Sequence, residues 1–252
     1  MSCDLVSTFP TLQRAPITEA VIDFRAELPP EVALPDLAFF NRGIEAQFSE
    51  RAERRSIETR IEIQASAPPK VVTPSDQPDG YIFHSRKDLL IAQARLDGFT
   101  LSRLQPYHEG DTFLKQAREL WERYVAVARP VKVKRLAIRN INRIEMDPDA
   151  ELQRYVLTGP EIARALPQQM LHFFIRIVVP DASGALAIIN ETIAPAAADA
   201  LKIPLIFDVD AFREVEFAPD APEIWETLGA LRALKNRIFF RSLTVEALEA
   251  FR

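Results

Sequence analysis

The sequence predicts an α+β protein made of two similar halves, and three observations carry that expectation. Segments with apolar residues at every second position recur along the chain. Two long stretches instead place apolar residues at helical spacing, and each carries one tryptophan, Trp121 and Trp225. The two kinds of segment follow in nearly the same order twice, on either side of Val131 to Met146.

The first half opens after an irregular N-terminal arm, residues 1–16, punctuated by Pro10 and Pro16. From Ile17 to Glu27, Ala20, Ile22, Phe24 and Ala26 alternate with Val21, Asp23, Arg25 and Glu27, which predicts a half-buried strand. Leu28-Pro29-Pro30 stops it. Phe40, Ile44 and Phe48, with Leu37, predict a helix from Asp36 to Ser49, with Pro35 at its start. The charged run Arg51 to Arg55 reads as a solvated connection into a strand from Ser56 to Ala65. After a Pro/Asp-containing loop, Pro68 to Gly80, strands are expected at Tyr81 to Ser85, Leu89 to Leu96 and Phe99 to Leu104. Asp97-Gly98 supplies the tight turn between the last two. Asp111 has the chemistry of an N-cap for the helix that carries Phe113, Ala117, Leu120, Trp121 and Tyr124.

The second half begins with the long strand Val131 to Met146. Its apolar positions change phase between Val133 and Leu136, and Ile144 has the opposite parity from Ile141, which predicts a bulge or a sheet covered on both faces. Turns and a short helix are expected over 147–168. Strands follow at Leu171 to Val179, Ala185 to Thr192 and Leu201 to Val209, with an Ala/Pro link at Ala194 to Ala200. A last long helix starts near Ala221 or Pro222 and carries Ile224, Trp225, Leu228, Leu231, Leu234 and Ile238. Lys235 and Arg237 read as cations at its C-terminus, and a helical turn is expected from Thr244. The expected units are thus an arm (1–16), a first half (17–129) and a second half (130–252), packed as one body. Each half reads as a curved antiparallel sheet against a long helix, β-α-β-β-β-β-α-like, in a TBP-like or helix-grip-like arrangement that implies an internal duplication.

Composition narrows the function classes. Of 252 residues, 48% are apolar and 27% charged, with a formal net charge of -5, the balance of a soluble domain without a nucleic-acid footprint. Seven glycines against 19 prolines disfavour folds that need several glycine-rich ligand loops. A single cysteine, Cys3, gives neither an intrachain disulfide nor a cysteine-rich metal site. No stretch reads as a leader or a membrane span, so the expectation is a cytoplasmic, prokaryotic protein.

No hydrolase elbow is present, and His84, His108 and His172 form no His-x-His or His-x-x-x-His pair. No catalytic residue, metal site or cofactor is therefore assigned. The richest polar cluster is Arg139, Asn140, Asn142 and Arg143. In a strand the two arginines share one face, suited to a carboxylate or phosphate, and the two amides share the other. Asp208 and Asp210 likewise share a face at the end of a strand. Together these six residues read either as a ligand-binding site or as a structural polar network. Lys132, Lys134 and Arg135 add a basic patch, offset by Glu145, Asp147 and Asp149, which leaves nucleic-acid binding a minor alternative.

Several short segments, in order, resemble a sporadically distributed family of uncharacterised prokaryotic proteins of about this length. They are Pro16-Ile17-x-Glu19-Ala20, Leu104-x-Pro106-Tyr107, Trp121-x-x-Tyr124 and Ile138-Arg139-x-Ile141-Asn142-Arg143, then Asp208 and Asp210. The series closes with Leu231-Arg232-x-x-Lys235-Asn236-x-Ile238-Phe239-Phe240 and Ser242-x-Thr244. Asn140 stands where that pattern often has an aromatic residue. The resemblance implies architecture and no activity, cofactor or catalytic residue.

The leading expectation is a non-catalytic binding or protein-interaction module that self-associates, as a homodimer, or binds another protein. The alternative is a small-molecule sensor or enzyme with a groove near the central Arg/Asn strand and the Asp208-Asp210 pair. No membrane partner is expected.

Overall fold

The computed structural model describes residues 9–55, 60–62, 70–72, 77–107, 110–167, 170–195 and 201–252. Cys3 and His108 lie outside them. The chain is α+β, with one antiparallel sheet of nine strands and four helices. Its strands are β1 (Ile17–Glu27), β2 (Glu50–Arg55), β5 (Pro78–Ser85), β6 (Leu90–Arg95), β7 (Gly98–Leu104), β8 (Lys132–Met146), β9 (Phe174–Pro180), β10 (Leu186–Ile193) and β11 (Ile203–Phe217). A separate pair joins β3 (Arg60–Glu62) to β4 (Lys70–Val72). The large sheet runs β2-β5-β6-β7-β1-β8-β11-β10-β9, so β1 and β8 sit side by side at its centre.

The phase change in the central strand is a bulge. Consecutive residues Arg25 and Ala26 of β1 face Arg135 and Val133 of β8, so Lys134 is the extra residue. Val133 and Leu136 can then both be fully buried on the same side. That side holds α1 (Leu34–Leu37), α2 (Gly110–Ala128) and α3 (Glu223–Ser242). Phe24 of β1 is the meeting point. It stacks on Trp121 of α2 at 4.5 Å and meets the edge of Trp225 of α3 at 5.9 Å. Trp121 Nε1 donates to the Pro219 carbonyl at 2.9 Å, tying α2 to the turn that launches α3.

Three expected elements differ. The helix foreseen over Asp36 to Ser49 stops at Leu37 and continues as successive turns, in which Gly43 adopts a left-handed φ of +84°. Phe40 and Phe48 are buried nonetheless, so their spacing reported burial rather than a continuous helix. The charged run at Arg51 forms β2, an edge strand whose charges are exposed except for Arg54, which is half-buried and pairs with Asp79. Much of the strand foreseen over Ser56 to Ala65 lies outside the described residues, as do 196–200 of the Ala/Pro link. At the other end, α3 continues through Phe239 and Phe240 to Ser242. Thr244 then caps α4 (Val245–Glu249) by accepting from the Ala247 N–H at 3.1 Å.

The turn between β6 and β7 depends on Gly98. Its φ is +143°, and a Cβ there would lie 1.9 Å from the Phe24 carbonyl oxygen. Only glycine lets β7 pair this closely with β1.

Candidate functional site

The six polar residues singled out in the sequence divide between the two faces of the sheet. Arg139, Arg143, Asp208 and Asp210 lie on the face opposite α2 and α3, while Asn140 and Asn142 point towards the helices. On the first face Arg139 binds Asp208 as a fork, Nε to Oδ1 at 2.7 Å and an η nitrogen to Oδ2 at 2.8 Å. Asn190 of β10 donates to the same carboxylate at 2.9 Å. Arg135 donates to Asp210 at 3.0 Å and lies over the Phe212 ring. One strand further, Asp23 accepts from Arg95 at 2.9 Å and from the Thr100 hydroxyl at 2.7 Å. Arg143 takes no part; it pairs with Glu145.

This network crosses six adjacent strands, from β6 to β10, and its charges largely cancel. Burial pushes the Asp23 carboxyl up, but Arg95, Arg25 and Thr100 outweigh it and hold the group below the usual carboxylate range. For Asp210 burial wins over Arg135 and Arg139, and the carboxyl is raised. A shallow recess of about 280 Å³ lies over these residues. With its strongest cation and anion locked in a fork, this face reads as a structural network.

The helix face is different. Asn140 and Asn142 form the floor of a half-open cavity of about 540 Å³, lined by α3, the start of α2, Tyr107, Ile17 and much of the arm from Phe9 to Pro16. The arm is held there by Phe9 stacked on Phe240 at 4.7 Å, and by the Arg143 N–H donating to the Pro16 carbonyl at 2.8 Å. Lys235 projects from α3 into this space and is 7% exposed. With the Asn140 amide oriented to donate to the Arg139 carbonyl (3.0 Å), its Oδ1 accepts from Lys235 Nζ at 2.7 Å. Among the described residues no carboxylate pairs with Lys235. Burial, reinforced by the positive charge of Arg232, pushes its amine down to about 7.

Two more groups at this cavity have binding capacity in reserve. Asn142 donates to the Phe207 carbonyl at 2.8 Å, but its own Oδ1 is buried without a partner. Arg232, one turn before Lys235, pairs among the described residues with Asp111 alone, whose side chain is 92% exposed and so readily exchanged for another anion. Asp111 thus lies in the first turn of α2, bonded to Arg232.

Lys235 reads in the sequence as a cation at the helix C-terminus, and the structure places it two turns earlier and buried. The helix runs on, and Lys235 falls four residues after Leu231 and four before Phe239, inside the apolar stripe. That spacing was the available signal. Pro16, Tyr107, Asn142, Arg232, Lys235 and Phe240 all line this one cavity.

A larger recess, about 800 Å³, lies beyond the end of β8 around residues 147–162. None of the polar side chains lining it is buried. Among the described residues no group of three or more His, Cys, Asp or Glu side chains could hold a metal ion, and no helix is long and apolar enough to cross a membrane. No protein-family model and no curated protein matches this sequence.

Proposed function

We propose that this chain is a small-molecule-binding protein, acting as a non-catalytic sensor or carrier, and that its ligand is an anion held in the helix-side cavity. The observation that carries the reading is Lys235: a lysine buried at a cavity wall, with no counter-charge among the described residues, costs several kcal/mol. A ligand carboxylate or phosphate offsets that cost. Arg232 offers a second cationic contact, the Asn142 Oδ1 accepts a ligand donor, and Tyr107, Phe239 and Phe240 suit an apolar body.

Binding an anion beside Lys235 favours the ammonium form. Because the free amine titrates near 7, binding above that pH takes up a proton, and affinity falls as the solution becomes more alkaline. Native mass spectrometry of freshly purified protein tests the reading, compared with its mass after denaturation. A retained anionic molecule, lost from Lys235→Met, is the expected result. No retained mass, together with no thermal shift from a panel of carboxylates and phosphates, overturns it.

A second reading, self-association, is favoured by the edge strand β9. It has a neighbour on one side only and exposes Phe174 and Val178, whereas the opposite edge, β2, is charged throughout. The strand order also supports an ancestral duplication. One half would comprise β1, β7, β6, β5 and α2, and the other β8, β11, β10, β9 and α3, joined side by side through β1 and β8.

A further inference from the structure

We propose that Lys235 bonds covalently and reversibly to the carbonyl carbon of a 2-oxo carboxylate, while Arg232 holds the carboxylate. This rests on the anion-binding reading above and names the ligand class. Lys235 and Arg232 are three residues apart on α3 and line the same cavity. Positions so spaced lie on one face of a helix, so both side chains can reach a single ligand. Asn140 Oδ1 holds Nζ at 2.7 Å on the floor of the cavity, which fixes the nitrogen without neutralising it. A buried amine beside another cation, pushed down to about 7, is largely free base just above neutrality and is nucleophilic there.

The reaction balances without an oxidant or reductant. The Nζ lone pair forms the C–N bond as the carbonyl π pair moves to oxygen, and a proton passes from nitrogen to that oxygen. The nitrogen pair then forms C=N as the C–O bond breaks, and the hydroxyl takes a proton from solvent and leaves as one water, so the imine keeps its N–H and is cationic. The ligand's own carboxylate offsets the charge of a protonated imine, since among the described residues no carboxylate pairs with Lys235.

The test uses the whole wild-type chain with pyruvate or glyoxylate and sodium cyanoborohydride, followed by intact mass and peptide mapping. Lactate, which has the carboxylate but no carbonyl, is compared by thermal shift. The expected result is one reduced adduct on Lys235, formed at a rate that climbs through pH 7 and then levels. Exposed lysines continue to gain reactivity towards pH 10. Arg232→Gln loses most of the adduct with glyoxylate and none with an uncharged aldehyde. Adducts scattered over surface lysines, or none, overturn the covalent step. If lactate and pyruvate then both raise the melting temperature, anion binding stands alone. If neither does, both readings fall.

Discussion

Arg139 and Asp208 form a two-pronged pair diagonally across adjacent strands, at 2.7 and 2.8 Å, with the carboxylate buried and the guanidinium half in solvent. The pair anchors a polar network on the face opposite the helices. Removing the arginine leaves Asp208 with the Asn190 amide as its remaining side-chain partner. Since Arg139 is partly exposed, the loss is that of a screened pair plus an under-satisfied carboxylate. Arg139→Ala therefore costs about 2 kcal/mol. Arg139→Lys recovers less than half of that, because an ammonium cannot reproduce the fork. Urea denaturation measures both; an alanine variant within about 0.5 kcal/mol of wild type would show that the network does not stabilise the sheet.

Glu191 is a separate matter. It is fully buried on β10, neither carboxylate oxygen has a hydrogen-bond partner, and burial raises its carboxyl to about 7. An unfolded glutamate ionises near 4.5. Between those values the folded state holds the proton and the unfolded state releases it, so stability falls as pH rises through the window, by about 3 kcal/mol in all. It is complete below pH 4.5 and the loss is constant above 7. Glu191→Gln removes this slope. The stability of the variant relative to wild type should climb from pH 4.5 to 7 and then hold steady. A difference independent of pH would mean that Glu191 ionises normally.

Lys235 has the opposite window. Its amine titrates near 7 in the folded chain and near 10.5 in the unfolded one, so the unfolded state binds more protons between those values. Stability then rises with pH across that interval, and the burial cost is greatest below pH 7. Lys235→Met keeps the packing of the side chain and removes the charge. It should stabilise the ligand-free protein by about 4 kcal/mol at pH 6 and by much less at pH 10. Thermal melts across that range check it, and a variant less stable than wild type at pH 6 refutes the buried uncompensated cation.

The parts of this molecule legible in its sequence are those where one local signal decides. Ile17 to Glu27 alternates cleanly and is a strand; the phase change after Val133 is a bulge at Lys134; Asp97-Gly98 marks a turn, which falls one residue earlier, at Leu96 and Asp97, with Gly98 opening β7. Leu37, Phe40, Ile44 and Phe48 showed the limit of spacing, since turns broken at Gly43 bury Phe40 and Phe48 as a helix would. The polar cluster was visible, and its division by parity was readable. Parity does not reveal which face receives the helices, so a buried ion-pair network and a cavity floor looked like one site. Lys235 was hidden by its neighbours: Lys-Asn-Arg reads as the end of a helix unless Phe239 and Phe240 are seen to keep the period of Leu231.

The central strand β8 serves two tasks through alternate residues, Arg135 and Arg139 on one side, Asn140 and Asn142 on the other. The division survives any exchange of one side chain for another. Changing Asn140 or Asn142 alters what the cavity admits and leaves the ion pairs in place. Gaining or losing a single residue between Lys134 and Arg139 sends the arginines among the aromatic rings and the amides into the salt-bridge network. Descendants of this chain can therefore drift freely in the composition of β8, but their alignments should contain no gap there.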